Sequence, residues 1–513
     1  MVSNNRIFKH FNSQLGLAFA VIAISTFNYG FDNAGYATTQ AMEPFQRQFG
    51  EYDEEAGKYS IPPEWLSLFN SLNYIGFGAG VIIGSLVSAR WGRRWCMFVM
   101  SAWALVPAIM AVTSSSRDQI LAARILNYIY IGMELAVVPV YQSEIMPAEI
   151  RGFAVGSYQF SLMTGSLLVN AVCRGTSTLS GNEAWKIPFG LFFIIPVIVM
   201  AMIFFIPESP RWLLTKNKPE EARIALGKLR GGVLTEAEID EQFASLSYAL
   251  DNEPEQGKYV ELFQGKNLKR TAVVVLMNFF QQATGQAFAS SYGAVFIRDI
   301  GTVNPFNMTL INSFINLCVS LLGLSLVDRH GRRPLLFIGA VWMFAAIVTM
   351  GSLGTITDPS IAVRTSIVAM LTVFAAGFVF SWAPLNYVVT TEIPALRLRD
   401  ASQRTASLVN VVTSFLVNFS IPYLLSPKYA GLQSRVGFIF AGIILLAIVF
   451  CYFCVPECKG KSLEQIDRMF NQGVPLRSFG NYSSEDVTQD DAVKGAIKGD
   501  SAKVEVHEKI SSV

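Results

Sequence analysis

Charge is what this chain has least of. Only 15% of its 513 residues are Asp, Glu, Lys or Arg, where about 25% is usual for a soluble domain. That scarcity excludes an ordinary soluble protein, and the 52% share of hydrophobic residues and mean hydropathy of +0.39 place the chain among membrane proteins. An excess of one sign is missing too. Forty basic against 38 acidic side chains leave a net +2, so nothing draws the chain as a whole to nucleic acid. The six cysteines (Cys96, Cys173, Cys318, Cys451, Cys454 and Cys458) mostly lie in apolar runs, with neither zinc-ligand spacing nor a secreted disulfide framework. Cys451 and Cys454 form a CxxC inside the last apolar run and read as inert helix residues. Neither a metal nor a cofactor is expected. The first apolar run is too long for a signal peptide and no small-residue cleavage site follows it, so no cleaved leader is expected.

Long apolar runs are what the chain has instead. About 20 apolar residues cross the hydrocarbon of a bilayer as helix. Twelve such runs can be marked, near 14–36, 65–88, 94–113, 119–141, 153–175, 186–206, 268–299, 306–327, 334–354, 363–390, 402–424 and 434–455. Lipid admits only helices and closed barrels, and these runs have helical length. The fold read from them is an all-α membrane protein with twelve transmembrane helices. A polar segment, 207–267, separates a first half (1–206) from a second (268–455), and a polar tail (456–513) follows. Two stretches of the middle segment, "KPEEARIALGKLRG" and "TEAEIDEQFASLSYAL", predict helices, the second opening with Thr235 and Glu238 at capping-box spacing. The segment is either a plain linker or a bundle bracing the halves. The tail beyond about Phe470 is Ser-, Asp- and Lys-rich and reads as largely disordered.

Orientation follows from the basic residues of the short loops. Arg90, Arg93 and Arg94 follow span two, Arg329, Arg332 and Arg333 follow span eight, and Arg397 and Arg399 follow span ten. Alternating spans put all of these on one face, while the loop after span one is acidic. Both termini and the middle segment are therefore expected in the cytoplasm. The halves also repeat. "RWGRR" at Arg90–Arg94 returns as "RHGRR" at Arg329–Arg333, "SEIMPAEIRG" loosely as "TEIPALRLRD", and "PESPRWL" in shape as "PECKGKSL", each at the same place relative to its spans. Two parallel six-helix repeats describe a secondary transporter.

At "GFD" in span one, "RWGRR", "EIMPAEIRG", "PESPRWL", "QQATGQ" in span seven, "VDRHGRR", "TEIPALRLR" and "PECKGKSLEQID", the chain resembles the sugar porter family of the major facilitator superfamily, in a fungal style, over about residues 14 to 468. Three positions depart from the family pattern: Ala89 stands before the first GRR, span seven reads "GQA", and span ten reads "SWAPLNY". The resemblance implies two six-helix halves around a central site, a sugar substrate, transport rather than an enzymatic reaction, and a plasma-membrane location. It also implies an inner cluster that closes the cytoplasmic side, built here from Arg93, Glu144, Arg151, Arg332, Glu392 and Arg399. Glu144 and Arg151 in the first half have the same layout as Glu392 and Arg399 in the second, and arginine forks grip carboxylates bidentately.

Amides are costly inside a membrane unless they find partners, yet span seven carries Gln281, Gln282 and Gln286. Gln282 and Gln286 are four apart, which puts them on one face of a continuous helix. Gly285 between them lets a neighbour approach the backbone. Gln159, Asn316 and Asn410 lie in spans five, eight and eleven. Uncharged groups that both donate and accept suit hydroxyls. Phe31, Tyr292, Trp382 and Tyr387 are aromatics that could lie against a sugar ring. The resemblance implies sugar contact at Gln159, Gln281, Gln282 and Asn316; Tyr387 and Asn410 are added from the residues themselves.

Asp32 is a lone acid near the end of span one. It lies about 27 Å along the helix from Gln14 at 1.5 Å per residue, and Arg124 falls at similar depth in span four. Each alone is expensive in hydrocarbon, so the two are expected to pair, and only the aspartate can be discharged by a proton. The resemblance implies proton symport for this aspartate–arginine combination. The chain thus reads as a proton-coupled sugar importer working as a monomer, its partners being the sugar, the proton and the bilayer. Facilitated transport of a sugar, polyol or quinate-like compound is one alternative. A non-transporting sugar sensor is another, although the stretch after Phe470 is short for a signalling tail.

Overall fold

The structure is a computed structural model that describes residues 9, 11–54, 57–147, 150–251, 257–461 and 463–481. Twelve helical spans cross the molecule among these residues, each within a few positions of an apolar run. The first six are Ser13–Thr39, Pro63–Trp91, Arg93–Val112, Arg117–Ile145, Arg151–Thr176 and Glu183–Phe205. The second six begin with a broken span over 265–300 and continue with Pro305–His330, Arg332–Leu353, Ile361–Glu392, Arg399–Leu425 and Gln433–Cys454. Ten of these are long and apolar enough to cross a membrane. The fifth is more polar, with Ser157, Gln159, Ser161, Thr164, Ser166 and Asn170, and the seventh is interrupted.

Local chemistry sets the ends of the spans. Asn12 caps span one by accepting from the Leu15 N–H at 2.7 Å, Ser116 caps span four through Gln119 N at 3.3 Å, and Ser360 caps span ten through Val363 N at 3.3 Å. Large apolar side chains such as Ile82, Leu86, Phe205, Leu408 and Leu446 are exposed on the outside, the reverse of a soluble surface and the arrangement lipid favours. Close crossings use small residues: Gly76, Gly80 and Gly84 of span two lie directly on span four.

The two halves meet through spans two and eleven and through spans five and eight. Ser67 Oγ donates to Phe419 O at 2.7 Å and Asn170 Nδ2 to Ser313 Oγ at 2.7 Å. Further cross-half bonds cluster at one face. Lys58 pairs with Asp299 at 3.2 Å and Lys428 with Glu64 at 3.0 Å, and Arg298 donates to Gln46. A small hairpin, Glu51–Asp53 with Lys58–Ser60, covers this face.

The opposite face carries the residues between the halves. Helices form at Pro219–Arg230 and Glu236–Asp251, as their patterns predict. Thr235 and Glu238 make the expected box, with Thr235 N donating to Glu238 Oε2 at 2.8 Å and Glu238 N to Thr235 Oγ1 at 3.4 Å. The Thr235 N–H holds the Glu238 carboxyl below its usual range. This segment touches both halves. Arg230 donates to Ile145 O at 3.0 Å. Further along, Gly257 N donates to Arg397 O at 2.9 Å and Tyr259 bonds Thr405 Oγ1 at 2.8 Å. These contacts tie the segment to both halves.

The start of the tail is folded. A helix at Leu463–Gln472 and a 3-10 turn at Leu476–Asn481 are folded against the second half. Arg270 pairs with Asp467 at 2.5 Å and lies 4.5 Å from the Phe470 ring, and Phe479 is fully buried on Phe470. Polar composition hid two aromatic anchors. Residues 482–513, the rest of the stretch read as disordered, lie outside the described residues.

Candidate functional site

Span seven is three helices, Gly265–Ala283, Gln286–Ser291 and Gly293–Ile300. The first break falls at Thr284–Gly285. Gly285 has φ +95°, and a Cβ there would lie 2.7 Å from the Phe440 ring of span twelve. A neighbour does approach the backbone at this glycine, but the left-handed turn overturns the expectation that Gln282 and Gln286 share a face of one continuous helix.

Gln281 lies on the first of these helices and is buried. Its Oε1 accepts from Asn410 Nδ2 at 2.9 Å, from Asn386 Nδ2 at 3.0 Å and from Gln282 Nε2 at 3.4 Å. Asn278 Oδ1 accepts from the same Asn386 and Asn410 amides at 3.2 and 3.4 Å. Spans seven, ten and eleven thus converge on one amide cluster, bringing Gln281, Gln282 and Asn410 together. Asn278 and Asn386 were missed by the sequence reading, although the same scarcity of membrane amides marks them. Gln286 Oε1, Asn316 Oδ1 and Asn386 Oδ1 are buried acceptors with no protein donor among the described residues, and such groups need a donor from elsewhere. Gln159 is half-buried on span five, next to Tyr158.

Of the four aromatics expected to lie against a ring, only Tyr387 is free to do so, at 56% exposure. Trp382 is fully buried and donates to Leu336 O at 3.2 Å. Tyr292 is spent on Asn418 O at 2.6 Å, and Phe31 packs between Phe27 and Phe192. Large rings fill the helix interfaces here, a use that sequence does not separate from ligand stacking.

Asp32 and Arg124 are both buried, but they do not pair; the expectation of a direct ion pair is corrected. Asp32 Oδ2 accepts from Asn28 Nδ2 at 3.3 Å and Oδ1 has no partner among the described residues. Arg124 Nη2 donates to Asn70 Oδ1 at 3.1 Å, and its guanidinium stands 4.8 Å from the Tyr36 ring centroid. The reason is local competition. Gln40 holds Asn70 by a reciprocal amide pair at 3.2 and 3.1 Å, and Tyr36, one turn beyond Asp32, offers a cation–π face. Arg124 is occupied by neutral groups.

At the face that carries residues 207–267, two arginine clusters repeat. Arg93 grips Glu144 with Nε at 2.9 Å and Nη2 at 2.8 Å; Arg332 grips Glu392 at 3.3 and 2.8 Å. Behind each lies a carboxylate the sequence reading quoted but did not assign. Glu208 accepts from Arg93 N at 3.0 Å, Arg94 N at 3.1 Å and Ser209 N at 2.8 Å. Glu457 accepts from Arg332 N and Arg333 N at 3.0 Å each and from Lys459 N at 2.9 Å. Each caps the N-terminus of a span with negative charge, although burial pushes the Glu208 carboxyl above its usual range. Gly92 and Gly331, with φ +101° and +92°, admit these carboxylates, since a Cβ would meet them at 2.3 and 2.6 Å. No ion pair joins Arg399 to Glu392, and Arg399 Nε and Nη2 are buried without partners among the described residues: Arg332 has taken the carboxylate. The Arg151 side chain lies outside the described residues.

The sequence model of one family, described as Sugar (and other) transporter, matches residues 18–470. A major facilitator-type transporter, ecdD, of Aspergillus rugulosus is 30% identical over 90% of either chain. A low-affinity glucose transporter of Kluyveromyces lactis is 27% identical over 90% of this chain and 83% of its own. The xylose transporter XylE from E. coli, solved in an inward open conformation, superimposes with a TM-score of 0.73 at 23% identity, over 89% of this chain and 99% of that one. The fold is that of the major facilitator superfamily.

Proposed function

The chain belongs to the sugar porter family of the major facilitator superfamily, transporters rather than enzymes, and we propose that it imports a sugar together with a proton by alternating access, with its two six-helix halves moving about the 207–267 brace. The observation that carries proton coupling is the pair of buried charges that do not meet. A carboxylate in the membrane interior with one amide donor and no cation is far cheaper neutral than ionised. Asp32 in this arrangement therefore carries a proton, and Arg124 is left to Asn70 and Tyr36. Loss of the proton restores a negative charge that draws Arg124 away from them. Charge state and the packing of spans one, two and four are thereby linked, which is what a coupled carrier requires.

The arginine-rich face is the cytoplasmic one on the positive-inside rule, so both termini and the brace are cytoplasmic and the multi-pass protein sits in the plasma membrane. The cross-half bonds then close the outside. The Arg93–Glu144 and Arg332–Glu392 clamps are the parts that lock the cytoplasmic side in the opposite state. The unpartnered acceptors Gln286, Asn316 and Asn386 take hydroxyl donors from the sugar, beside Gln281, Gln282, Asn410, Gln159 and the exposed Tyr387. A single chain contains every part named, so the monomer is the functional unit.

The test is uptake of radiolabelled sugars in transporter-null cells at acid and neutral external pH, with and without a protonophore. Uphill accumulation that rises in acid and collapses with protonophore is the expected result. Accumulation indifferent to both would leave a facilitator, and no uptake of any sugar would leave a sensor.

A further inference from the structure

The first half holds a second buried carboxylate, Glu134, that neither clamp nor amide cluster uses. It is fully buried in span four. Its Oε2 accepts from the Tyr158 hydroxyl at 2.9 Å, and its Oε1 has no partner among the described residues. The titratable groups facing it are Tyr158 of span five, Tyr29 of span one, Tyr130 one turn away on span four with Asp32 of span one beyond it, and, beyond Tyr158, Tyr387 of span ten. No Lys, Arg or His lies within ion-pair distance among the described residues. A residue that only glued helices would not need to be an acid, since a glutamine holds a tyrosine hydroxyl without the cost of a charge.

Position gives the carboxyl a use. Span four runs from Arg124 through Glu134 to Glu144 at ten-residue intervals, about 15 Å each at 1.5 Å per residue. Glu134 is therefore midway between the depth of Asp32 and the cytoplasmic clamp. Tyr130 stands between the two acids, its hydroxyl on Ser25 O at 3.3 Å and beside Asn28, the residue that holds Asp32. On its other side Glu134 meets Tyr158, which is half-buried next to Gln159 and close to the exposed Tyr387.

We propose that Glu134 is the inward exit station for the transported proton, receiving it from the Asp32 side past Tyr130 and releasing it past Tyr158 to water on the cytoplasmic side. This rests on the proton-coupled reading above. One proton moves: the Asp32 carboxyl loses it and becomes an anion, Oε1 of an ionised Glu134 gains it, and Glu134 returns to the anion when water takes the proton at the cytoplasmic side. With the outside shut by the cross-half bonds, a proton on Asp32 has no short route back, and the carboxyl halfway to the other face shortens the step inward.

The experiment is made on full-length protein in proteoliposomes, parent and Glu134→Gln side by side. Sugar-driven proton uptake and exchange of internal for external sugar are both recorded. The glutamine keeps the Tyr158 contact but cannot be ionised. Exchange at parental rate with net proton-coupled accumulation reduced tenfold or more is expected, with Glu134→Asp restoring part of it and shifting its pH profile. Tyr158→Phe, which removes the hydroxyl and leaves the acid, is expected to slow accumulation without abolishing it. A parent that moves no protons with sugar overturns the symport reading itself. A coupled parent whose Glu134→Gln variant accumulates sugar with the same proton uptake overturns this proposal alone, as does a glutamine variant that loses exchange and accumulation equally while Tyr158→Phe behaves as the parent.

Discussion

Gln281→Ala is the perturbation that bears most directly on the amide cluster. The alanine removes the nearer of the two oxygens on which Asn410 and Asn386 converge, at 2.9 and 3.0 Å. Their amides are left to Asn278 Oδ1 alone, at 3.4 and 3.2 Å. A hydrogen bond contributes about 1 kcal/mol net, and a buried donor left unsatisfied costs about 1–3 kcal/mol. Part of that falls on the folded protein whatever is bound. The part that falls on sugar binding is the loss of orientation of Asn386 and Asn410 plus any direct contact with Gln281, together about 2 kcal/mol or roughly thirtyfold in apparent affinity. The assay is concentration-dependent uptake at matched surface level, with Gln281→Glu as a companion that keeps the accepting oxygen for both asparagines. Apparent Km is expected to rise roughly thirtyfold for alanine and by less for glutamate. Parental kinetics in the alanine variant would refute the assignment, because the two asparagines would then be held well enough for binding by the longer bonds to Asn278 Oδ1 alone.

Other consequences are as direct. Asp32→Asn keeps the shape of the protonated acid but cannot release a proton, so uphill accumulation and its stimulation by acid should vanish while sugar exchange survives; retained acid stimulation would remove Asp32 from coupling. Glu144→Gln breaks a bidentate grip on Arg93 whose members are mostly shielded from water, a change worth up to about 3–5 kcal/mol at a buried pair. It should increase labelling of an engineered cysteine on the cytoplasmic side, and unchanged labelling would end the clamp reading. Gly285→Ala puts a Cβ into a φ of +95° against Phe440, costing about 1–2 kcal/mol in backbone alone. Transport should fall, and a smaller residue at Phe440 should recover only the steric part.

Much of the fold is legible because lipid is a strict solvent. Every apolar run of membrane length became a span, for a backbone in hydrocarbon has no other way to bond itself. The repeat was legible for a related reason: Gly92 and Gly331 must accept a left-handed turn and a carboxylate, so the motif around them is short and fixed. What the sequence hid is pairing. It shows that Asp32 and Arg124 are buried at like depth, but not that Gln40 and Tyr36 bring Asn70 and a ring to the arginine first. It shows three glutamines in span seven, but not that a single glycine breaks the helix between Gln282 and Gln286. It counts aromatics without telling Tyr387, which is exposed, from Trp382, which is packing. Composition also does not show the start of the tail folding on Phe470 and Phe479.

One helix gathers the whole scheme. Span four presents Arg124 toward the face with the hairpin, Glu134 at its middle and Glu144 at the face that carries residues 207–267, with Pro139 in its last third. A helix is stiff along its axis, so a shift that lets Arg124 exchange Asn70 for a charged Asp32 is carried toward Glu144 unless the helix bends between them. Pro139 supplies that bend point, since it removes one intrahelical bond. On the proton-coupled reading, the link between Asp32 and the Arg93–Glu144 clamp therefore depends on how rigidly the residues beyond Glu134 hold. Pro139→Ala stiffens that stretch, and it should tighten the link between Asp32 protonation and cytoplasmic accessibility. The measurement is the pH dependence of labelling at a cysteine beside Glu144 in parent and variant. A steeper dependence in the alanine variant fits transmission through the helix; an identical curve in both would mean the signal travels by the packing of spans one and two instead.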